Sequence, residues 1–236
     1  MAKSIVQGRQ SQPPDAASDI DAFLEKVRVS PKVGPGNGRL IFGMDATMSR
    51  QPTWDSAISI QSQMFVEAAK SGTLAVQLAY FRGFNECKSS KWVTDGKALA
   101  RLMSTVQCRG GNTQLGRLLT HIKAETNRAK VSAAVYVGDA MEEGIDAICV
   151  TAGEIGLSGT PIFMFQEGHD SRAETAFREI ARLTGGAYFK LDANSAAQLA
   201  EVLRAVAAFA AGGWQALEDR AKADASTKKL IQQMRR

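Results

Sequence analysis

The sequence predicts an α/β domain: a doubly wound, mostly parallel six-stranded sheet with helices on both faces and one antiparallel edge strand. Three observations carry that prediction. First, from residue 38 to about residue 210, apolar runs of strand length alternate with longer segments of helical period, the pattern of consecutive βα units. Second, the connection between Phe81 and Lys91 (RGFNECKSS) is too short for a helix, so the chain must turn back there as a hairpin. Third, 236 residues with 44% apolar and 22% charged side chains suffice for one full α/β core but not for two large ones.

The elements follow in order. Residues 1–37 form an arm. It begins polar, with Pro13 and Pro14, and continues as a short amphipathic helix opened by Ser18-Asp19-Ile20-Asp21. Ile20, Phe23, Leu24 and Val27 share one face of that helix, and the arm ends in the linker PKVGPGNG. The globular domain occupies 38–211, with strands expected at 39–44, 74–81, 91–94, 131–137, 161–165 and 187–191. Helices fit between and after them at 54–70, 96–106, 114–128, 144–156, 171–184 and 195–210. Residues 212–236 read as a polar, partly helical tail.

Composition narrows the function. The net charge of +5 is spread along the chain, and aromatics make up only 7%, so the basic stripe with interleaved aromatics of a nucleic-acid binder is missing. Cys87, Cys108 and Cys149 are odd in number and widely spaced, which argues against a disulfide framework or a zinc site and for a reducing compartment. The amino terminus has no apolar core of a signal peptide, and the late apolar stretch 199–211 is broken by Glu201 and Arg204. A cytoplasmic protein that neither enters membranes nor binds nucleic acid is expected.

Three segments place oxygen-bearing side chains just past the carboxyl ends of expected strands, where open α/β sheets keep their ligand sites. Gly43-Met44-Asp45-Ala46-Thr47-Met48-Ser49 sets Asp45, Thr47 and Ser49 at alternate positions of one loop. Arg109-Gly110-Gly111-Asn112-Thr113 turns sharply into a helix and brings in the Thr113 hydroxyl. Val137-Gly138-Asp139 ends a buried strand in an acid. Two carboxylates and three hydroxyls form an all-oxygen set suited to Mg²⁺ or Mn²⁺ and unsuited to zinc. With neutral hydroxyls among the donors, such an ion stays electron-poor and can take up an incoming carboxylate.

DATMS, then GGNT, then GD after a later strand resembles the metal-ion-dependent adhesion site of von Willebrand factor A (VWA) domains, which carry DxSxS, a Thr and an Asp in that order. The resemblance spans roughly 39–210. It implies direct metal ligation by Thr47, Ser49 and Thr113, with Asp45 and Asp139 acting through water or as acceptors that orient the hydroxyls. It further implies the doubly wound fold, a non-enzymatic role in binding a protein partner that offers Asp or Glu, and a last helix (199–209) that shifts on binding in some members. Thr47 stands where Ser is commoner, and its hydroxyl can still coordinate.

Rival readings are weaker. Asp45 and the later GDAMEE segment superficially resemble a haloacid dehalogenase phosphatase, but that family needs a second acid where this chain has Thr47, which cannot act as a general acid near neutral pH. The dinucleotide, P-loop and nucleophile-elbow fingerprints are missing. A metal-free scaffold recruiting partners through its amino-terminal helix is the main alternative. Near the metal loop, Arg50, Gln51 and Trp54 are placed to rim the site, although the spacing of Trp54 with Ile58 and Phe65 favours a core role. His121 reads as structural and His169 as a turn or cap residue. Glu142 and Glu143 read as solvated charges in the first turn of a helix.

Overall fold

In the computed structural model, residues 38–52, 74–191 and 196–234 are described; the arm 1–37 and the helix expected at 54–70, with Trp54, lie outside them. The strands are β1 (Gly38–Asp45), β2 (Leu74–Arg82), β3 (Glu86–Ser89), β4 (Ala133–Gly138), β5 (Ile162–Gln166) and β6 (Ala187–Lys190). They form one sheet in the order β3-β2-β1-β4-β5-β6, and only the β2–β3 pair is antiparallel. The helices are α1 (Gly96–Thr105), α2 (Leu115–Arg128), α3 (Ile145–Leu157), α4 (Ser171–Thr184), α5 (Ala196–Ala221, broken by a kink at Gly213, whose φ is +66°) and α6 (Ala225–Met234).

Because strand side chains alternate between faces, each central strand feeds two cores. Leu40, Phe42 and Met44 of β1 join Val135, Val137, Phe163 and Phe165 on one face, under Leu102 and Met103 of α1 and Val202 and Val206 of α5. Ile41, Tyr136 and Met164 face the other way, under Leu118 and Ile122 of α2, Ile155 of α3 and Phe177 of α4. Leu217 and Leu230 are fully buried in the first core, so the chain beyond residue 211 adds apolar surface to the domain through α5 and α6. Among the described residues no helix is long and apolar enough to cross a membrane.

One expected strand sits elsewhere. The antiparallel edge strand is Glu86–Ser89, not 91–94: the chain turns at Gly83, whose φ is +60°, and Arg82 then pairs with Glu86. Val93, the more apolar position, makes only an isolated bridge to Val76. At an edge, pairing follows the geometry of the turn rather than apolarity, since one side of the strand faces water.

Candidate metal centre

The site is assembled at the carboxyl ends of the central strands. Met44 pairs with Val137, so Asp45 ends β1 beside the point where β4 delivers Gly138 and Asp139. The loop after β1 is folded by its own first residue: Asp45 Oδ1 accepts the Thr47 backbone N–H at 2.7 Å, the local side-chain-to-backbone turn that Asp favours. Residues 45, 47 and 49 converge as a result, and Thr47 Oγ1 lies 3.1 Å from Ser49 Oγ. Asp45 and Thr47 are buried and Ser49 is exposed.

The second segment is attached to the first. Thr47 bridges to Arg109, Ala46 N–H donates to Phe81 O, and Arg109 N–H donates to Ala46 O. A Cβ on Gly111 would lie 2.0 Å from the Gly83 carbonyl oxygen, so the tip of the β2–β3 hairpin and the loop leading to Thr113 touch through backbone alone. Gln114 Nε2 adds bonds to the Arg82 and Gly83 carbonyls. Over β1, a Cβ on Gly43 would meet the Leu118 side chain at 2.6 Å, so the missing side chain lets α2 approach the strand that bears Asp45.

The third segment is latched to the second by two acids. Glu142 N–H donates to Thr113 Oγ1 at 3.0 Å, and Glu142 Oε2 accepts Thr113 N–H at 3.1 Å. Glu143 accepts the Leu115 and Gly116 amides at 2.7 and 2.8 Å, capping α2, whose cap position Gln114 makes no side-chain cap of its own. These acids precede α3 rather than opening it, and although Glu142 is exposed, both bind the amino terminus of α2, which corrects their placement in a helix's first turn. The pairing of residues nearly 30 positions apart leaves no local signal in the sequence.

Arg50 is a second correction. It is 2% exposed and does not rim the site: Nε and Nη2 pair with Glu167 at 3.2 and 2.7 Å, and Nη1 donates to Asp45 O at 2.6 Å and Val137 O at 3.5 Å. One cation thus ties the ends of β1 and β4 to the β5–α4 loop. Gln51 is exposed. In that loop the cap of α4 is Asp170, which accepts the Arg172 and Ala173 amides, while His169 is exposed. His121 is bonded to Gln77 at 2.8 Å, in keeping with a structural role.

Electrostatically the floor is unsatisfied. Asp45 Oδ2, Asp139 Oδ1 and the Tyr136 hydroxyl are buried without a hydrogen-bond partner among the described residues. Burial lifts the Asp45 carboxyl to about 6; its bonds to Thr47 and the charge of Arg50 oppose that rise, and Asp139 adds to it. Tyr136, which the sequence reading missed, lies beneath Gly138, where an added Cβ would sit 2.3 Å from its hydroxyl. Burial, with the Asp45 carboxylate adding to it, pushes this phenol well above its ordinary range. Unpartnered buried carboxylate oxygens are costly, and a cation that shares them removes the cost. Among the described residues no group of three or more His, Cys, Asp or Glu is placed to hold a metal, so any ion here would depend on the two acids together with the hydroxyls.

No protein-family model matches the chain, and no curated protein does. Solved structures do. A von Willebrand factor type A protein from Catenulispora acidiphila matches over 75% of this chain with a TM-score of 0.61 and 15% identity. The SpRpn10 VWA domain matches over 72%, with a TM-score of 0.58 and 12% identity. The fold is that of a von Willebrand factor A domain. The pilus adhesin SpaC from Lactobacillus rhamnosus GG shares it over 82% of this chain, with a TM-score of 0.53 and 11% identity. The chain spans 43% of the Catenulispora protein and 30% of the adhesin, but 95% of the SpRpn10 domain. At these identities the likeness is one of architecture. Within this VWA fold, Asp45, Thr47 and Ser49 share one turn, and Asp139 lies within electrostatic reach of Asp45. Thr113 is joined to the Asp139 loop through Glu142.

Proposed function

We propose that this chain is a non-enzymatic, cytoplasmic protein-binding module that takes up an acidic side chain of a partner through Mg²⁺ or Mn²⁺ held by Asp45, Thr47, Ser49, Thr113 and Asp139. The observation that carries the reading is a pair of buried carboxylate oxygens, Asp45 Oδ2 and Asp139 Oδ1, that have no partner among the described residues and lie at neighbouring strand ends beside two convergent hydroxyls. An all-oxygen set of this kind suits a hard divalent cation. When bound, the ion would supply an electrophilic position for a carboxylate.

The chain's own residues do the rest. Asp45 folds the loop that presents Thr47 and Ser49, and Arg50 and Glu167 hold the end of that loop. Glu142 accepts and donates at Thr113, so the Thr113 backbone and hydroxyl are fixed together beside the Asp139 loop. Cys87, Cys108 and Cys149, odd in number and widely spaced, suit a reducing compartment.

Calorimetry of Mg²⁺ and Mn²⁺ on metal-stripped protein, with free acetate present, tests the reading. Saturable binding is expected for the wild type and its loss for Asp45→Ala and Asp139→Ala. Absence of binding, or equal binding by both variants, would refute the metal site and leave a metal-free scaffold as the better account.

A further inference from the structure

The site has a lip of different chemistry on one side. Phe84, at the tip of the β2–β3 hairpin, is 72% exposed, and Met48, within the metal loop, is 53% exposed. Arg109 joins the two: its backbone pairs with Thr47, and its side chain packs 3.6 Å from the position a Cβ would take on Gly83. The surroundings are basic. Glu86, the acid of this hairpin, is engaged by Arg82, Lys88 and Arg109. The single charge of Glu86 is outnumbered by Arg82, by Lys88 and Arg109, whose side chains are 63% and 65% exposed, and by the exposed Arg117, which binds Asn85, so the hairpin side carries net positive charge. On the opposite side of the Thr113 loop lie two acids, Glu142, which is exposed, and Glu143; they accept from the amides of residues 113, 115 and 116 and keep their negative charge.

Large apolar side chains left in water beside surplus guanidinium groups lack an explanation in the packing of the domain, and aromatic, Met and Arg side chains are those that anchor interfaces. We infer that this lip is the second half of the docking surface, and that it is fitted to an acidic partner segment carrying a large apolar side chain next to its binding Asp or Glu. The apolar residue packs against Phe84 and Met48, while Lys88, Arg109 and Arg117 attract the segment's remaining negative charge. The uneven rim, basic at the hairpin and acidic toward α3, sets the direction in which the segment lies. The inference rests on the proposed function for the carboxylate itself, but the lip is a separate surface.

The test is to pan a displayed random dodecapeptide library on the full chain in saturating Mg²⁺, then measure a synthetic peptide of the enriched consensus. The expected consensus holds Asp or Glu with an aromatic or large aliphatic neighbour. Phe84→Ser and Lys88→Ala are each expected to weaken that peptide by about tenfold with Mg²⁺ affinity unchanged. Both positions are exposed, so the fold tolerates the changes. A consensus lacking an apolar neighbour, unchanged binding by both variants, or no enrichment at all would overturn the lip. A Mg²⁺ titration without peptide separates the two claims: if the wild type takes no Mg²⁺ yet selects acidic-apolar peptides in a Phe84-dependent way, the metal reading fails and the lip stands.

Discussion

Arg50 and Glu167 form a sealed ion pair, with the arginine side chain 1% and the glutamate side chain 14% exposed, across the ends of three strands. Burial alone would weaken the guanidinium's hold on its proton, but Glu167 outweighs it together with Asp45. Removing one partner leaves an uncompensated buried charge, so Glu167→Ala is expected to destabilise the chain by about 3–5 kcal/mol in urea denaturation. Replacing both, as Arg50→Met with Glu167→Leu, is expected to recover most of that loss. A single variant as stable as wild type would show the pair to be incidental.

The Asp45 carboxyl gives the metal-free protein a distinctive pH profile. Its pKa in the fold is about 6 against an ordinary value of 3.8, so the native state binds more protons than the unfolded one between those values. The associated stability is fully present below about pH 4 and is lost as pH rises through 6; at about 1.4 kcal/mol per pH unit it amounts to about 3 kcal/mol. Asp45→Asn is therefore expected to be more stable than metal-free wild type at pH 7.5 and to flatten the profile. Chemical denaturation across this range checks it; a wild-type curve rising between pH 4 and 6 would contradict the assignment.

Metal uptake has the opposite sign. A ligand set containing Asp45 must lose the Asp45 proton, so Mg²⁺ affinity is expected to fall below pH 6, with proton release on binding. Calorimetry in buffers of different ionisation enthalpy measures that release. A pH-independent affinity would place the ion elsewhere.

Glu143 caps α2 through two amides, so Glu143→Ala is expected to cost about 1–2 kcal/mol in thermal denaturation. It should also weaken Mg²⁺ binding, because it frees the loop that bears Asp139. Loss of stability with full metal affinity would mean that the cap does not position the site.

Gly111→Ala places a methyl 2.0 Å from the Gly83 carbonyl, where backbone must move. A cost of about 1–3 kcal/mol is expected, with faster amide exchange at residues 109–116 and in the hairpin. Unaltered exchange in both segments would disprove the contact.

Much of this molecule was legible in its sequence because the relevant signals are local. The apolar runs at β1, β2, β4 and β5 mark strands covered on both faces, and Asp45, Thr47 and Ser49 sit close enough in sequence for one turn to gather them. The edge strand was misplaced because its residues, ECKS, lack the apolarity that marks a covered strand. The α/β architecture and the order of the three oxygen-bearing segments follow from patterns a few residues long.

Tertiary structure decided what lies between those patterns. That Arg50 is buried against Glu167, that Glu142 and Glu143 bind the start of α2, and that Tyr136 closes the floor beneath Gly138 are pairings across 117, 29 to 27, and 2 residues. The first two join segments whose proximity is set only when parallel strands bring their carboxyl ends together. A charge reads as solvated in sequence because water is its commonest partner. Whether it faces water or a partner in the fold depends on the packing of strands far away in the chain, and here that packing buries Arg50 against Glu167 and sets Glu142 and Glu143 on the amides that open α2.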